Sequence, residues 1–364
     1  MKKNKPLIAV DARPLSYGMT GNSRYLAECL EYLKREVAPF EYVLLSNKPI
    51  HKTFEPLVGT GFHDIIIQKS LGVIWLNFTV PRTVKKIQAD VFWGTLQLLP
   101  VFKLPVPSVV NYHDLNFVSA PETMSRSNRL QHSLLSRFTM KNADKIFCLS
   151  ENTKNDIKKY RPVTSEKLLT VYPGVKRNSF PDFKVPFENY LLYVGTIEPR
   201  KNAASIINAF LSLKKESPDF PYSLVLAGRK GWGEEELISK LENRSLEQEG
   251  VFFLENPDDV MLANLYRKCA CFLFPSVHEG FGLPLLEAMV ENKICIASDI
   301  PVFKEILDSS DILVPPRDIE AWKKAFKIFA SKKDKTREKK VTDSDWTWKA
   351  AAVQIEESLK KVLQ

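Results

Sequence analysis

Short, nearly unbroken apolar runs alternate with longer stretches of helical period along this chain, and the alternation occurs twice. In the first half the runs are Leu7 to Val10, Tyr42 to Leu45, Asp64 to Ile67, Val109 to Tyr112, Lys145 to Leu149 and Leu168 to Val171. Strands that are apolar on both faces must be covered on both faces, so the pattern predicts parallel sheets between helix layers, an α/β fold. After a polar, proline-containing stretch from Lys176 to Asn189 a second series begins: Tyr190 to Val194, Ser223 to Ala227, Val251 to Leu254, Cys271 to Phe274, Ile294 to Ala297 and Ile312 to Val314. Two α/β domains therefore abut near residue 180, at 1–178 and 179–343, and a length of 364 residues suits two domains of about 150 residues or somewhat more. In 344–364, Trp348, Ala352, Ile355, Leu359 and Val362 recur at helical spacing behind Asp345 or Thr347, which marks a closing helix.

Composition narrows the function classes. With 44% hydrophobic and 26% charged residues the chain is neither disordered, collagenous nor a coiled coil. Lys plus Arg exceeds Asp plus Glu by 52 to 43, which favours an anionic partner: a nucleotide, a phospholipid surface or a nucleic acid. The lysine-rich run Ser331 to Lys340 reads as a solvated loop rather than a nucleic-acid site, and no nucleic-acid partner is expected. Five cysteines lie mostly inside apolar runs without a CxxC, so they read as buried thiols of a reducing compartment, with no metal site. The N-terminal apolar run is too short for a signal peptide, and no segment approaches the roughly 18 apolar residues of a membrane span. The expected place is the cytoplasm, at most peripheral to a membrane. For that contact Ser70 to Ile87 is the candidate: Leu71, Val73, Ile74, Trp75, Phe78 and Val80 beside Arg82, Lys85 and Lys86 suit anionic headgroups or, equally, a helix core.

The segment with most chemistry in it is Phe274-Pro-Ser-Val-His-Glu-Gly-Phe-Gly-Leu-Pro-Leu-Leu-Glu-Ala-Met289. A buried strand runs into a loop with Gly280 and Gly282, then into a helix starting near Leu283 or Pro284, where proline is tolerated because its missing N–H is not needed. Backbone amides and the helix dipole make such a junction an anion site, and glycine lets a phosphate approach. Glu279 and Glu287 frame it, eight positions apart. The first is placed to project into the crevice beyond the strand end, the second to accept hydrogen bonds from a ribose; the alternative is a cap and an exposed helix residue.

This frame resembles the E-x7-E signature of retaining glycosyltransferases with the GT-B architecture, the large group numbered family 4 or glycosyl transferases group 1. Flanking pieces agree along almost the whole chain: Asp11-Ala-Arg-Pro, Thr20-Gly-Asn-Ser-Arg-Tyr25, Tyr112-His-Asp-Leu115, Tyr193-Val-Gly-Thr-Ile-Glu-Pro-Arg-Lys-Asn202, Ala227-Gly-Arg-Lys-Gly-Trp232 and Ser298-Asp-Ile-Pro301. The pattern is most similar to bacterial mannosyltransferases that build O-antigen or capsule chains. The resemblance implies two Rossmann-like domains facing a cleft, the first for the acceptor and the second for a nucleotide-sugar donor, with the terminal helix crossing back to the first.

Carried onto this sequence, it implies that Glu279 lies beside the donor sugar and Glu287 bonds the ribose. The amides of Gly280, Phe281, Gly282 and Leu283 would receive the diphosphate, and Arg200 with Lys201 would neutralise it. Charge developing on a departing phosphate needs such cations when no metal serves, and none is expected. The loop with Gly18, Gly21 and Asn22 resembles the family's glycine-rich loop, which closes over donor phosphates or acceptor. His113 would contact the donor sugar and Asp114 would orient or deprotonate the acceptor hydroxyl, the alternative for His113 being support of loop backbone. His278 reads as packing or loop support. No cofactor is implied: the donor, GDP-mannose first or another GDP- or UDP-sugar, is a substrate, and the acceptor is a growing, lipid-linked glycan. Ser23 stands where the family has its second glycine and Thr196 where relatives carry Arg. Both departures speak for the alternative, a non-catalytic nucleotide-sugar-binding subunit.

Overall fold

Strands in the computed structural model lie in two all-parallel sheets, and the structure describes residues 5–34, 38–124, 126–177, 179–337 and 346–364, with backbone alone at 127 and 128. The first sheet holds β1 (Leu7–Asp11), β2 (Glu41–Ser46), β3 (Asp64–Ile67), β4 (Val91–Gly94), β5 (Ser108–Tyr112), β6 (Lys145–Cys148) and β7 (Leu168–Thr170) in the order β3-β2-β1-β4-β5-β6-β7. The second holds β8 (Tyr190–Val194), β9 (Ser223–Gly228), β10 (Val251–Glu255), β11 (Cys271–Phe274), β12 (Cys295–Ser298) and β13 (Ile312–Val314) in the order β10-β9-β8-β11-β12-β13. In each sheet the chain leaves the first strand toward one side and later returns to its other side, β1 beside β4 and β8 beside β11. Loops diverge at those two points and leave room for a ligand at the strand carboxyl ends.

Several features differ from the expectation. β4 is absent from the sequence-read runs because Thr95-Leu-Gln-Leu-Leu extends its apolar character into the following loop and leaves no boundary, yet it is central and fully buried. β3, read as buried on both faces, is an edge strand with Ile67 42% exposed, since no neighbour covers its outer side.

The chain divides into two compact units, Met1–Gly174 with Trp346–Gln364, and Val175–Asp345. The boundaries read at 178 and 343, and the cap candidate Asp345, lie outside the described residues. Within the first unit the helix Trp348–Val362 is capped by Thr347, whose Oγ1 accepts the Ala350 N–H at 2.9 Å. It packs on the helix Gly21–Leu33, where Trp348 meets the Tyr25 ring edge-on at 5.8 Å. Gly174 permits this return: a Cβ there would lie 2.0 Å from the Trp348 nitrogen. In the second unit, Phe210, Leu224, Leu226, Trp322 and Phe326 form the core.

The run Ser331 to Lys340 is not simply a solvated loop. Residues 338–340 lie outside those described, but Arg337 is fully buried, bonding Asp311 at 2.5 and 2.6 Å and Asp308 at 2.7 Å. Breaking such a buried pair from one side costs about 3–5 kcal/mol because a charge is stranded, so this arginine anchors the segment to the second sheet. All five cysteines are free and buried, and burial pushes Cys148 and Cys269 up to about 12, so they are inert thiols. Residues 72–86 form one helix with a π turn at Trp75–Thr79 that divides its apolar side chains. Trp75, Leu76, Val80 and Val84 enter the core, as the helix-core reading expects, whereas Leu71 just before the helix and Val73, Ile74 and Phe78 stay exposed.

Candidate active site

In the second unit the site grows from two adjacent strand ends. The loop after β8 carries Glu198-Pro-Arg-Lys201 and turns into the helix Ala203–Glu216 through Asn202, which is left-handed at φ 55°, a conformation asparagine tolerates. Its Nδ2 donates to the Pro275 carbonyl at 3.0 Å and the Pro316 carbonyl at 2.7 Å, and the Val277 amide donates to the Arg200 carbonyl at 2.9 Å. These bonds fasten the loop after β8 to the loop after β11 and, through Pro316, to the loop after β13. The second loop ends at Gly282, at φ 123°, where a Cβ would meet the Phe303 ring at 3.1 Å; glycine is required there. The helix Leu283–Val290 follows, with Pro284 in its first turn.

Fastening the loops brings three of the sequence-read residues into one ion cluster. Arg200 Nη1 lies 2.8 Å from Glu279 Oε2, and Lys201 Nζ lies 2.5 Å from Oε1. Arg200 Nη2 also bonds Glu198 at 2.9 Å, and its Nη1 donates to the His278 carbonyl at 3.2 Å. Burial alone would raise the pKa of Glu279, but the two cations outweigh it and hold the carboxyl at about 2. For Lys201 burial wins over its acidic partner, and its pKa is lowered. Glu279 is therefore a permanent anion at neutral pH rather than a proton donor. His278 supports the loop through its carbonyl, while its Nε2 is buried without a partner among the described residues. Phe281 is buried, and Glu287 is half-buried on the helix that starts from this loop.

The first unit builds a separate place at β1, β4 and β5. His113 follows β5 and gives its Nε2–H to the Thr95 carbonyl at 2.8 Å, because a carbonyl only accepts. Burial lowers its pKa more than the Thr95 bond and Asp114 raise it, so the ring is neutral with Nδ1 left as an acceptor. This is the backbone-supporting arrangement that the sequence left open. Asp114 Oδ1 accepts from the Asn116 amide at 3.2 Å and the Gln97 side chain at 3.4 Å, and Oδ2 accepts from Asn116 Nδ2 at 2.8 Å. It lines a cavity of about 360 Å³ together with Asn22, Arg13, Gln97, Asn116 and His132.

Gly18 and Gly21 have ordinary φ and open space around them, so neither serves a strained turn. Ser23, the departure from the family's glycine, completes a capping box: its Oγ accepts the Thr20 amide at 2.7 Å and its amide donates to Thr20 Oγ1 at 3.2 Å. Arg13, Gln97, His132 and Glu198 were not singled out from sequence. A signal existed for Arg13, two residues after Asp11 at a strand end, and for Glu198, two before Arg200; Gln97 and His132 left none.

Comparison with known proteins agrees with this architecture. The family model described as "Glycosyltransferase Family 4" matches residues 19–178, and "Glycosyl transferases group 1" matches 175–342. The O-antigen chain mannosyltransferase RfbU of Salmonella typhimurium is 31% identical over 220 residues, 60% of this chain and 59% of that protein. The O-antigen chain mannosyltransferase B of Escherichia coli is 26% identical over 238 residues, 61% of each. The match thus spans about three-fifths of these relatives' length. Among solved structures, Anabaena Alr3699/HepE in complex with UDP and glucose superposes with a TM-score of 0.72 at 16% identity, covering 98% of this chain and 100% of that one, which shows the fold. The two parallel sheets have the GT-B architecture, and the chain belongs to the family 4, group 1 glycosyltransferases.

Proposed function

We propose that the protein moves a hexose from a nucleoside diphosphate sugar to a sugar hydroxyl with retention of anomeric configuration. The observation that carries this reading is the Arg200–Glu279–Lys201 cluster at the β8/β11 switch point, beside a glycine-led helix start. Breaking a glycosyl–phosphate bond develops positive charge on the sugar and negative charge on the leaving phosphate. A buried cluster holding both signs serves that event, the carboxylate toward the sugar and the cations toward the phosphate. The amides of Gly280, Phe281, Gly282 and Leu283 are assigned to the diphosphate and Glu287 to the ribose. His113 Nδ1 is assigned to a sugar hydroxyl and Asp114 to the attacking hydroxyl, with Gly18, Gly21 and Asn22 forming a loop over phosphate or acceptor. No metal or other cofactor takes part.

The mannosyltransferase names of the relatives make GDP-mannose the first donor to test, and UDP in the Anabaena structure keeps UDP-sugars second. The test is incubation of labelled GDP-mannose and UDP-glucose with lipid-linked glycan extracts, with and without EDTA. Transfer that survives EDTA and gives a product anomer matching the donor is expected. Nucleotide protection without turnover would instead identify a binding subunit.

The exposed side chains of Leu71 at 74%, Phe78 at 56% and Phe102 at 80% lie near Arg82, Lys85, Lys86 and Lys103 in sequence, and the Val101 amide bonds Asn77 Oδ1 at 2.8 Å, tying the Phe102 loop to the helix. No helix among the described residues is long and apolar enough to cross a membrane. This patch is proposed to rest on the anionic surface that presents a lipid-linked acceptor. Co-sedimentation with phosphatidylglycerol vesicles at low salt, reversed at high salt, is the expected result; no co-sedimentation removes the membrane contact.

A further inference from the structure

The cavity of the first unit has a charge balance of its own. It sits at the β1/β4 switch point, where a ligand is expected in an open parallel sheet. Arg13, after β1, is gripped by the fully buried Asp11: Nε donates to Oδ1 at 2.8 Å and Nη2 to Oδ2 at 2.6 Å. The guanidinium also lies 4.7 Å from the centroid of the buried Trp75 ring. Two sides of the fork are thus fixed, and Nη1 donates to no protein acceptor among the described residues. A fork held this way presents its remaining N–H groups at little entropic cost.

Asp11 cancels the charge of Arg13, so Asp114 is left as the one unbalanced charge among the described lining residues. Gln97, which lines the same cavity, is held in the left-handed region at φ 60°, uncommon for a non-glycine residue, and its side chain bonds Asp114. His132 stacks on Phe117 with ring centroids 5.9 Å apart and keeps a buried Nδ1 without a partner among the described residues. Burial lowers the His132 pKa more than Asp114 raises it, so it adds no positive charge. The walls therefore offer amide, imidazole and guanidinium hydrogen-bonding groups, an apolar face at Phe117 and Met124, and one negative charge.

We propose that this cavity takes the acceptor as an uncharged hexose end, that it discriminates against acceptors carrying a phosphate or carboxylate, and that Arg13 Nη1 and His132 Nδ1 are the groups that position it. The proposal rests on the glycosyl-transfer reading above, and it adds the class of acceptor and two specificity-determining residues. An anionic acceptor would meet Asp114 with no unpaired cation among the described lining residues to offset the repulsion, whereas hydroxyl groups can both donate to the imidazole and accept from the guanidinium.

The test uses the full chain and probes that differ by one group: methyl glycosides of glucose, mannose and galactose against their uronic acids and 6-phosphates, followed by ligand-observed NMR. At least one uncharged glycoside is expected to bind, with its charged counterparts weaker by about tenfold or more, a loss equivalent to about 1.4 kcal/mol. Arg13→Lys keeps a cation for Asp11 but loses the fork, and is expected to weaken the glycoside about tenfold while leaving nucleoside diphosphate affinity unchanged. Should Arg13→Lys fail to fold, His132→Phe keeps the stack on Phe117, removes the unpartnered nitrogen and is expected to weaken the same glycoside. Charged counterparts binding equally well, no glycoside binding at all, or unchanged affinity in a folded variant would overturn the proposal. Slow donor cleavage by water, assayed in parallel, reports on glycosyl transfer alone; its absence with glycoside binding intact would sink the transfer reading and not the pocket.

Discussion

Replacing Glu279 with glutamine is expected to lower turnover by about 10²–10³-fold while nucleoside diphosphate affinity is kept or tightened, the range found when one preorganised group facing transition-state charge is removed. The separation of the two effects follows from the geometry. In the wild type the carboxylate engages both Arg200 and Lys201, so its charge competes with phosphate for the same cations. Glutamine fills nearly the same volume without that charge and leaves the cations to the diphosphate, but it cannot stabilise a sugar that becomes positive as its bond breaks. Equal losses in nucleotide affinity and turnover would show that Glu279 only organises the cations. The pH dependence has a definite sign. Glu279 is held at about 2 in the folded state and near 4.3 in an unfolded chain. Its depressed pKa contributes stability that is fully present above the unfolded value and is lost as pH falls through about 2, a dependence the variant lacks. Between pH 5 and 9 the wild-type rate carries no limb from this group, because it stays ionised throughout.

Legibility in the sequence followed physical scale. Strands such as Tyr190–Val194 and Cys271–Phe274 were visible because five or four consecutive apolar residues bounded by polar ones leave a parallel strand as the natural solution. Val91–Gly94 carries the same signal but no clear boundary, since Thr95-Leu-Gln-Leu-Leu extends the apolar character into a loop. At the site, Glu279, Arg200 and Lys201 could be chosen from local motifs, whereas their contacts could not: 78 positions separate Lys201 from Glu279, and the Asn202 and Val277 bonds that bring them together depend on the sheet order. The same limit hid His132 and Gln97, which flank no motif and matter only where the β1/β4 switch point opens. Arg337 was hidden for the opposite reason. It sits in a lysine-rich run that looks solvated, and the buried Asp311 that claims it lies 26 residues away.

Asp114→Asn is expected to lower kcat by about 10²–10⁴-fold, the usual share of a general base, with the donor KM little changed. This substitution separates two roles that alanine would confuse. As a turn residue, Asp114 accepts the Asn116 amide two positions on, and asparagine forms that Asx turn equally well. The other oxygen accepts from Asn116 Nδ2 at 2.8 Å, so a new amide there would face a donor. Asn116 can relieve this by flipping: its Oδ1 is buried without a partner among the described residues, and rotation would aim that oxygen at the new amide, leaving one unsatisfied buried atom before and after. The turn and the cavity wall are therefore preserved, and the loss is confined to the carboxylate's charge and its capacity to take a proton from the attacking hydroxyl. A folded variant with wild-type kcat would assign Asp114 to the turn alone, and the group that activates the acceptor would have to be the departing phosphate itself.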